Sequence, residues 1–153
     1  MSEYEKLLAR AAKLCSSAEK CSHEVKEKLL AWGLNETAAE QAISYLKKNN
    51  YLNDARYTQF FVKDKLKLNK WGRMKIAYAL RRKQVPGDTI DHALDTIDQS
   101  QYEDILDQLI IAKSRSAGDI KRATARAKIF RFAAQRGFTS EEIYDSLKRI
   151  EKD

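Results

Sequence analysis

The chain has 153 residues, 43% hydrophobic and 33% charged, with a formal net charge of +7. That balance excludes a disordered polyelectrolyte, and no apolar run approaches the ~20 residues of a membrane-spanning helix. Two cysteines, Cys15 and Cys21, exclude a disulfide framework and suit a reducing compartment; MSEYEKLLAR lacks the apolar core of a secretory signal, so a cytoplasmic protein is expected.

The first helical stretch is EYEKLLARAAKLC from residue 3. Cys15, Cys21 and His23 follow it, but three donors with no second pair make a poor zinc pattern. Packed thiols are the favoured reading, and no metal is assigned. VKEKLLAWGLNETAAEQAISYL, from residue 25, reads as two helices. Gly33 ends the first in the left-handed conformation, and Asn35 caps the second.

DARYTQFFVKDKLKL, from residue 54 behind an Asn53 cap, carries two helical stripes. Arg56, Lys63, Lys67 and Lys70 form a basic one. Tyr57, Phe60, Phe61 and Leu68 form an apolar one, which reads as core before it reads as a stacking platform for bases. Trp71, beside the Lys70–Arg73 corner, is the better candidate for an exposed ring.

The stretch GRMKIAYALRRKQV, residues 72–85, holds Arg73, Lys75, Arg81, Arg82 and Lys83 and no carboxylate. Ile76, Ala79, Leu80 and Lys83 share a side that can pack. The opposite side is almost wholly cationic, with no i,i+4 acid to neutralise it. Gln84 then stands where a helix-ending glycine would, and Pro86 suits a first helical turn. Asp88, Asp91, Asp95 and Asp98 suit the solvated side of a helix better than a metal cluster. His92 is isolated.

YEDILDQLIIAK, from residue 102, and IFRFAAQRGFTSEEIYDSLKRI, from residue 129, complete the helices. In the latter, Gly137 precedes Phe138, and Thr139 with Glu142 makes a capping box. Lys121, Arg122, Lys128 and Arg131 form a second basic surface. Charge therefore runs in blocks: twelve Lys/Arg against two acids over 47–83, none against seven over 84–111, and eight against one over 113–136. Two basic blocks on matching helices imply an anionic partner.

Beneath the charges lies a repeat, with segments beginning at Val25, Ile76 and Ile129 in register. Leu29, Leu80 and Ala133 correspond, as do Leu34, Val85 and Phe138, then Ile43, Leu94 and Leu147, and finally Leu46, Ile97 and Ile150. No segment alternates like a strand. The expected fold is all-α: three tandem three-helix repeats over 1–50, 51–99 and 100–153, stacked as an elongated, curved array. No Walker loop, dinucleotide fingerprint or nucleophile elbow occurs, so neither catalysis nor a cofactor is expected.

The middle segments NNYLNDARYTQFFVKDKL and GRMKIAYALRRKQV, with KIFRFAAQRGFTSEEI near the end, resemble the bacterial RecX family. Its motif falls on Asp54, Phe60, Phe61, Val62, Gly72 and Ile76, with Gly137 and Phe138 in the last repeat, residues of mainly structural use. Lys65 departs from the family's frequent arginine and Gln84 from its usual glycine. The resemblance covers most of the chain and is weakest over 1–20 and 98–120. It implies a non-enzymatic regulator that lies in the groove of the RecA recombinase filament on DNA. Filament growth, recombination, ATP hydrolysis by RecA and SOS-repressor cleavage would all fall.

Under that reading the basic face of Arg56, Lys63, Lys67, Lys70, Arg73, Lys75, Arg81, Arg82, Lys83, Lys121, Arg122, Lys128 and Arg131 meets RecA, or single- or double-stranded DNA through its phosphates. The protein is expected to be a monomer. Two other readings stand beside it. A helix-turn-helix regulator would place a recognition helix in DNA, although no helix here joins base-reading side chains to a dimerisation element. A helical-repeat adaptor would hold two proteins and ignore DNA.

Overall fold

The structure, a computed structural model, describes residues 1–152. Nine helices and no strand occur among them: α1 Glu3–Ser17, α2 Ser22–Ala31, α3 Glu36–Lys48, α4 Asp54–Lys67, α5 Arg73–Arg82, α6 Gly87–Asp95, α7 Gln99–Ala117, α8 Ala123–Gln135 and α9 Ser140–Lys152. The all-α expectation holds, and the caps explain most boundaries. Asn35 Oδ1 accepts from the Ala38 N–H at 2.8 Å and Asn53 Oδ1 from the Arg56 N–H at 3.0 Å. Thr139 and Glu142 exchange bonds of 3.1 and 2.8 Å. These satisfy donors that a helix start leaves without partners.

Three boundaries differ from expectation. α7 begins at Gln99 rather than Tyr102, because Asp98 accepts from the Gln101 N–H at 2.9 Å and starts it a turn early. It also runs on to Ala117. Pro86 lies just before α6 rather than in its first turn; its carbonyl accepts from the Ile90 N–H at 3.1 Å.

The repeat register is written in the backbone. Gly33, Gln84 and Gly137, which correspond, all take positive φ: 114°, 59° and 98°. The turn thus forces a left-handed conformation even on the one copy that lacks glycine.

The chain packs as two compact units: Met1–Phe61 with Leu80–Ile90, and Val62–Ala79 with Asp91–Asp153. In the first, α1, α2 and α3 bury Leu7, Ala11, Cys15, Val25, Leu29, Ala39, Ala42, Ile43 and Leu46 in one cluster with Leu52. Cys15 and Cys21 are buried, unbridged thiols, and burial raises the pKa of each. In the second unit α7, α8 and α9 pack against one another around Leu106, Ile110, Ile129, Ile143 and Leu147. Tyr102 and Phe138 add a ring pair with centroids 5.3 Å apart, at the favoured spacing of aromatic contacts.

Candidate anion-binding surface

The basic residues divide into those with a carboxylate beside them and those without. In the first unit the supposedly uncompensated end of α5 is partly compensated, since Lys83 pairs with Glu24 of α2. That bond raises the Lys83 pKa, and the ammonium also lies 6.0 Å from the Phe61 ring centroid. Arg56 Nε donates to Glu19 at 2.7 Å. Same-helix spacing could reveal neither acid, because both arrive from other elements. Arg81 and Arg82 stay exposed at the end of α5.

The motif residues in this unit have distinct uses. Asp54 accepts from both the N–H and the hydroxyl of Ser22, each at 2.8 Å, so its carboxylate anchors the start of α2. Phe61 packs 5.9 Å from the buried Tyr57 ring. Phe60 does not fit its expected structural role: it is 52% exposed. The apolar stripe of α4 is therefore core at Tyr57 and open at Phe60 and Leu68, the latter 78% exposed. Phe60 is turned about 60° away from Tyr57 around the helix, and Leu68 lies one residue beyond the end of α4.

In the second unit Arg73 is structural. Its N–H donates to the Tyr102 hydroxyl at 3.0 Å, its guanidinium lies 4.0 Å from that ring's centroid, and it pairs with Glu142 at 3.7 Å. Burial, more than any other cause, raises the Tyr102 pKa. Val62, Gly72, Ile76, Gly137 and Phe138 are buried. Lys63, Lys67, Lys70, Lys121 and Arg122 are exposed; Lys70 adopts φ 57° and donates to the Lys67 carbonyl.

A different set draws together. Lys65 and Lys75 place their ammoniums 5.0 and 4.7 Å from the Trp71 ring centroid. Lys75 also donates to the Gln135 carbonyl at 3.4 Å, and Arg136 donates to the Asn69 carbonyl at 2.8 Å. Lys113 of α7 and Arg136 lie 4.9 and 4.8 Å from the Phe132 ring centroid. Phe132, Lys113, Lys128, Arg131 and Gln135 line a shallow cavity of about 210 Å³. Among the described residues no ion pair joins Lys75, Lys113, Lys128, Arg131 or Arg136 to an acid. Rings and backbone carbonyls position several of these charges without cancelling them.

Sequence reasoning named Lys75, Lys128 and Arg131 but missed Lys113, Phe132 and Arg136. The basic block over 113–136 contained all three, yet only packing sets Lys113 of α7 against a ring of α8. Among the described residues no helix is long and apolar enough to cross a membrane, and no group of His, Cys, Asp or Glu could hold a metal ion.

Fold and surface define an all-helical protein built from three-helix modules, with a group of cations in the second unit that pair with no acid among the described residues. Residues 8–46 match the first three-helix domain of RecX, and residues 53–94 match its second. The regulatory protein RecX of Clostridium perfringens strain 13 is 32% identical over 97% of this chain and 70% of its own length. That of Clostridium beijerinckii is 29% identical over 92% of this chain and 66% of its own. This chain thus spans about two thirds of these relatives. The crystal structure of RecX from Lactobacillus salivarius superposes with a TM-score of 0.87 at 18% identity, covering 98% of this chain and 97% of that one. The chain belongs to the RecX family of regulatory proteins.

Proposed function

We propose that this chain regulates the RecA recombinase, binding RecA or its filament on DNA and lowering filament extension, recombination, ATP hydrolysis and SOS co-protease activity. It acts in the cytoplasm as a monomer without catalysis of its own, using segments 1–50, 51–99 and 100–153 as repeated packing modules. Family membership supports the setting. The observation that carries the reading is the group of cations in the second unit, Lys75, Lys113, Lys128, Arg131 and Arg136, that rings, backbone carbonyls and a shallow cavity hold with no acid beside them.

Such a surface suits a groove that displays protein surface beside DNA phosphates, where each phosphate contact is charge-assisted. The exposed Lys63, Lys67 and Lys70, and separately Arg81, supply further charge in the same role. The test is DNA-dependent ATP hydrolysis by RecA. Sub-stoichiometric protein lowers it, while the protein alone hydrolyses nothing. Unchanged hydrolysis at equal concentrations of the two proteins overturns the proposal.

A further inference from the structure

Helix α8 carries two apolar faces. Ala125, Ile129 and Ala133 are buried in the core of the second unit. Ala123, Ala127, Phe130 and Ala134 recur at spacings of four, three and four, the period of a coiled-coil seam. They lie roughly 130° further round the helix than the buried set, and the three alanines are exposed. The Phe130 ring packs on that of Tyr144 of α9, with centroids 5.2 Å apart, and Tyr144 is 50% exposed. These residues, with Arg126 and Arg131, line an open groove of about 580 Å³. We propose that this groove docks one amphipathic helix of a partner protein, with bulky apolar residues along its seam and carboxylates on its flanks. The inference goes beyond the regulator reading and does not rest on it.

Exposed alanine by itself shows only helix propensity. Here two rings stand in line with the alanines, so the groove is apolar along its length. Alanine methyls leave room for leucine- or methionine-sized knobs and let a second helix approach closely. Charge then selects the occupant. The charged residues of the groove are Arg126 and Arg131. Arg126 shares its charge with Glu151 at 2.8 Å, and among the described residues no ion pair joins Arg131 to an acid. α8 contains no carboxylate, and no side chain caps its start at Arg122, so the positive end of its dipole adds to theirs. Pairing α8 with that of a second copy would set these arginines against one another with no acid from either helix, which opposes self-association there. Glutamates flanking the seam of a partner helix would meet them instead. Phosphates laid along the groove would face alanine methyls, which donate no hydrogen bond.

The probe is a labelled three-heptad peptide with leucine at its a and d positions and glutamate at e and g, whose own like charges oppose self-pairing. Fluorescence anisotropy follows its binding to the full chain without RecA. The acidic peptide binds, and its helical signal rises on mixing. A peptide with lysine at e and g does not bind, nor does one that keeps the glutamates but carries serine at a and d. Ala127→Gln with Ala134→Gln weakens binding at least about tenfold, since the amides would be buried without partners. Tyr144→Ser weakens it as well. Arg131→Glu weakens binding about threefold, the scale of one exposed ion pair, and gains affinity for the lysine peptide. Ala9→Gln, at an exposed helical alanine of the first unit, binds like the parent.

Circular dichroism melting confirms that each variant folds, and single substitutions at Ala127 and Ala134 replace the double variant if it does not. Parent-like binding by the folded seam variants overturns the assignment. So does equal affinity for the serine peptide, which would reduce the surface to general attraction of anions, and so does loss of binding in Ala9→Gln, which would place the helix on the first unit. Sedimentation that shows the chain pairing with itself, and ceasing to in the seam variants, would make a second copy the occupant and equally overturns it. RecA hydrolysis, read separately, tells failure of this groove from failure of the regulator reading.

Discussion

Gly72 and Gly137 meet backbone to backbone. The Gly72 N–H donates to the Arg136 carbonyl at 2.7 Å, and the Gly137 carbonyl accepts from the Met74 N–H at 3.2 Å. A Cβ on Gly72 would strike the Gly137 carbonyl and come within 2.7 Å of Phe138 N; one on Gly137 would strike Lys75 and come within 2.6 Å of its N. Only hydrogen fits on either side of this contact between the start of α5 and the turn before α9.

Gly72→Ala should therefore cost about 3 kcal/mol, at the upper end of the range for core overpacking. Gly33→Ala provides the contrast. Its φ of 114° is strained for alanine, but no atom lies within 4 Å of the added carbon, so about 1 kcal/mol is expected. Urea unfolding of both variants checks the order, and equal destabilisation would show that the close approach is not what constrains Gly72.

Lys83 should behave as a structural cation. Its pair with Glu24 is about one-third exposed on each side, so Lys83→Ala should cost about 1 kcal/mol. Arg81→Glu, at an exposed site, should stay within about 0.5 kcal/mol. The exchange Glu24→Lys with Lys83→Glu should recover part of the stability. A double-mutant cycle with no coupling would remove Lys83 from this role.

Alkaline pH should expose Tyr57. Burial, and secondarily the Glu24 carboxylate, push its pKa up to about 12, above the ~10 of an unfolded tyrosine. A group whose folded pKa is raised binds its proton more tightly in the folded state. Stability present in full below about pH 10 is then lost as pH climbs toward 12. The raised Lys83 pKa acts in the same direction. Tyr57→Phe should flatten this decline, measured as melting temperature against pH; an unchanged slope would contradict it.

Asp107 holds a small polar network in the second unit. It accepts from the Ser146 hydroxyl and takes two bonds from Arg149, at 3.0 and 2.8 Å. Ser146 is fully buried. Asp107→Ala leaves that buried hydroxyl without its acceptor and the guanidinium with only the Glu103 carboxylate, 3.6 Å away, at a cost of about 2 kcal/mol. Asp107→Asn keeps one acceptor oxygen and should be milder. Chemical denaturation that ranks the two variants the other way would refute the network.

Local rules carried much of the fold. Asn35, Asn53, Thr139 and Glu142 act through bonds three residues long, so spacing alone located them. The apolar repeat predicted the buried Val25, Ile76 and Ile129 because a helix's inward face recurs with its own turn. The glycine turns at 33 and 137 followed from the same register, while the structure showed that Gln84 keeps the left-handed conformation as well. Tertiary structure decided what no period contains. It brought Glu24 to Lys83 and Glu19 to Arg56, left Phe60 open, and set Lys113 against Phe132. Charge is additive along a chain, so the basic blocks were legible as blocks. Which charges survive uncancelled depends on distances between residues far apart in sequence, and folding alone sets those.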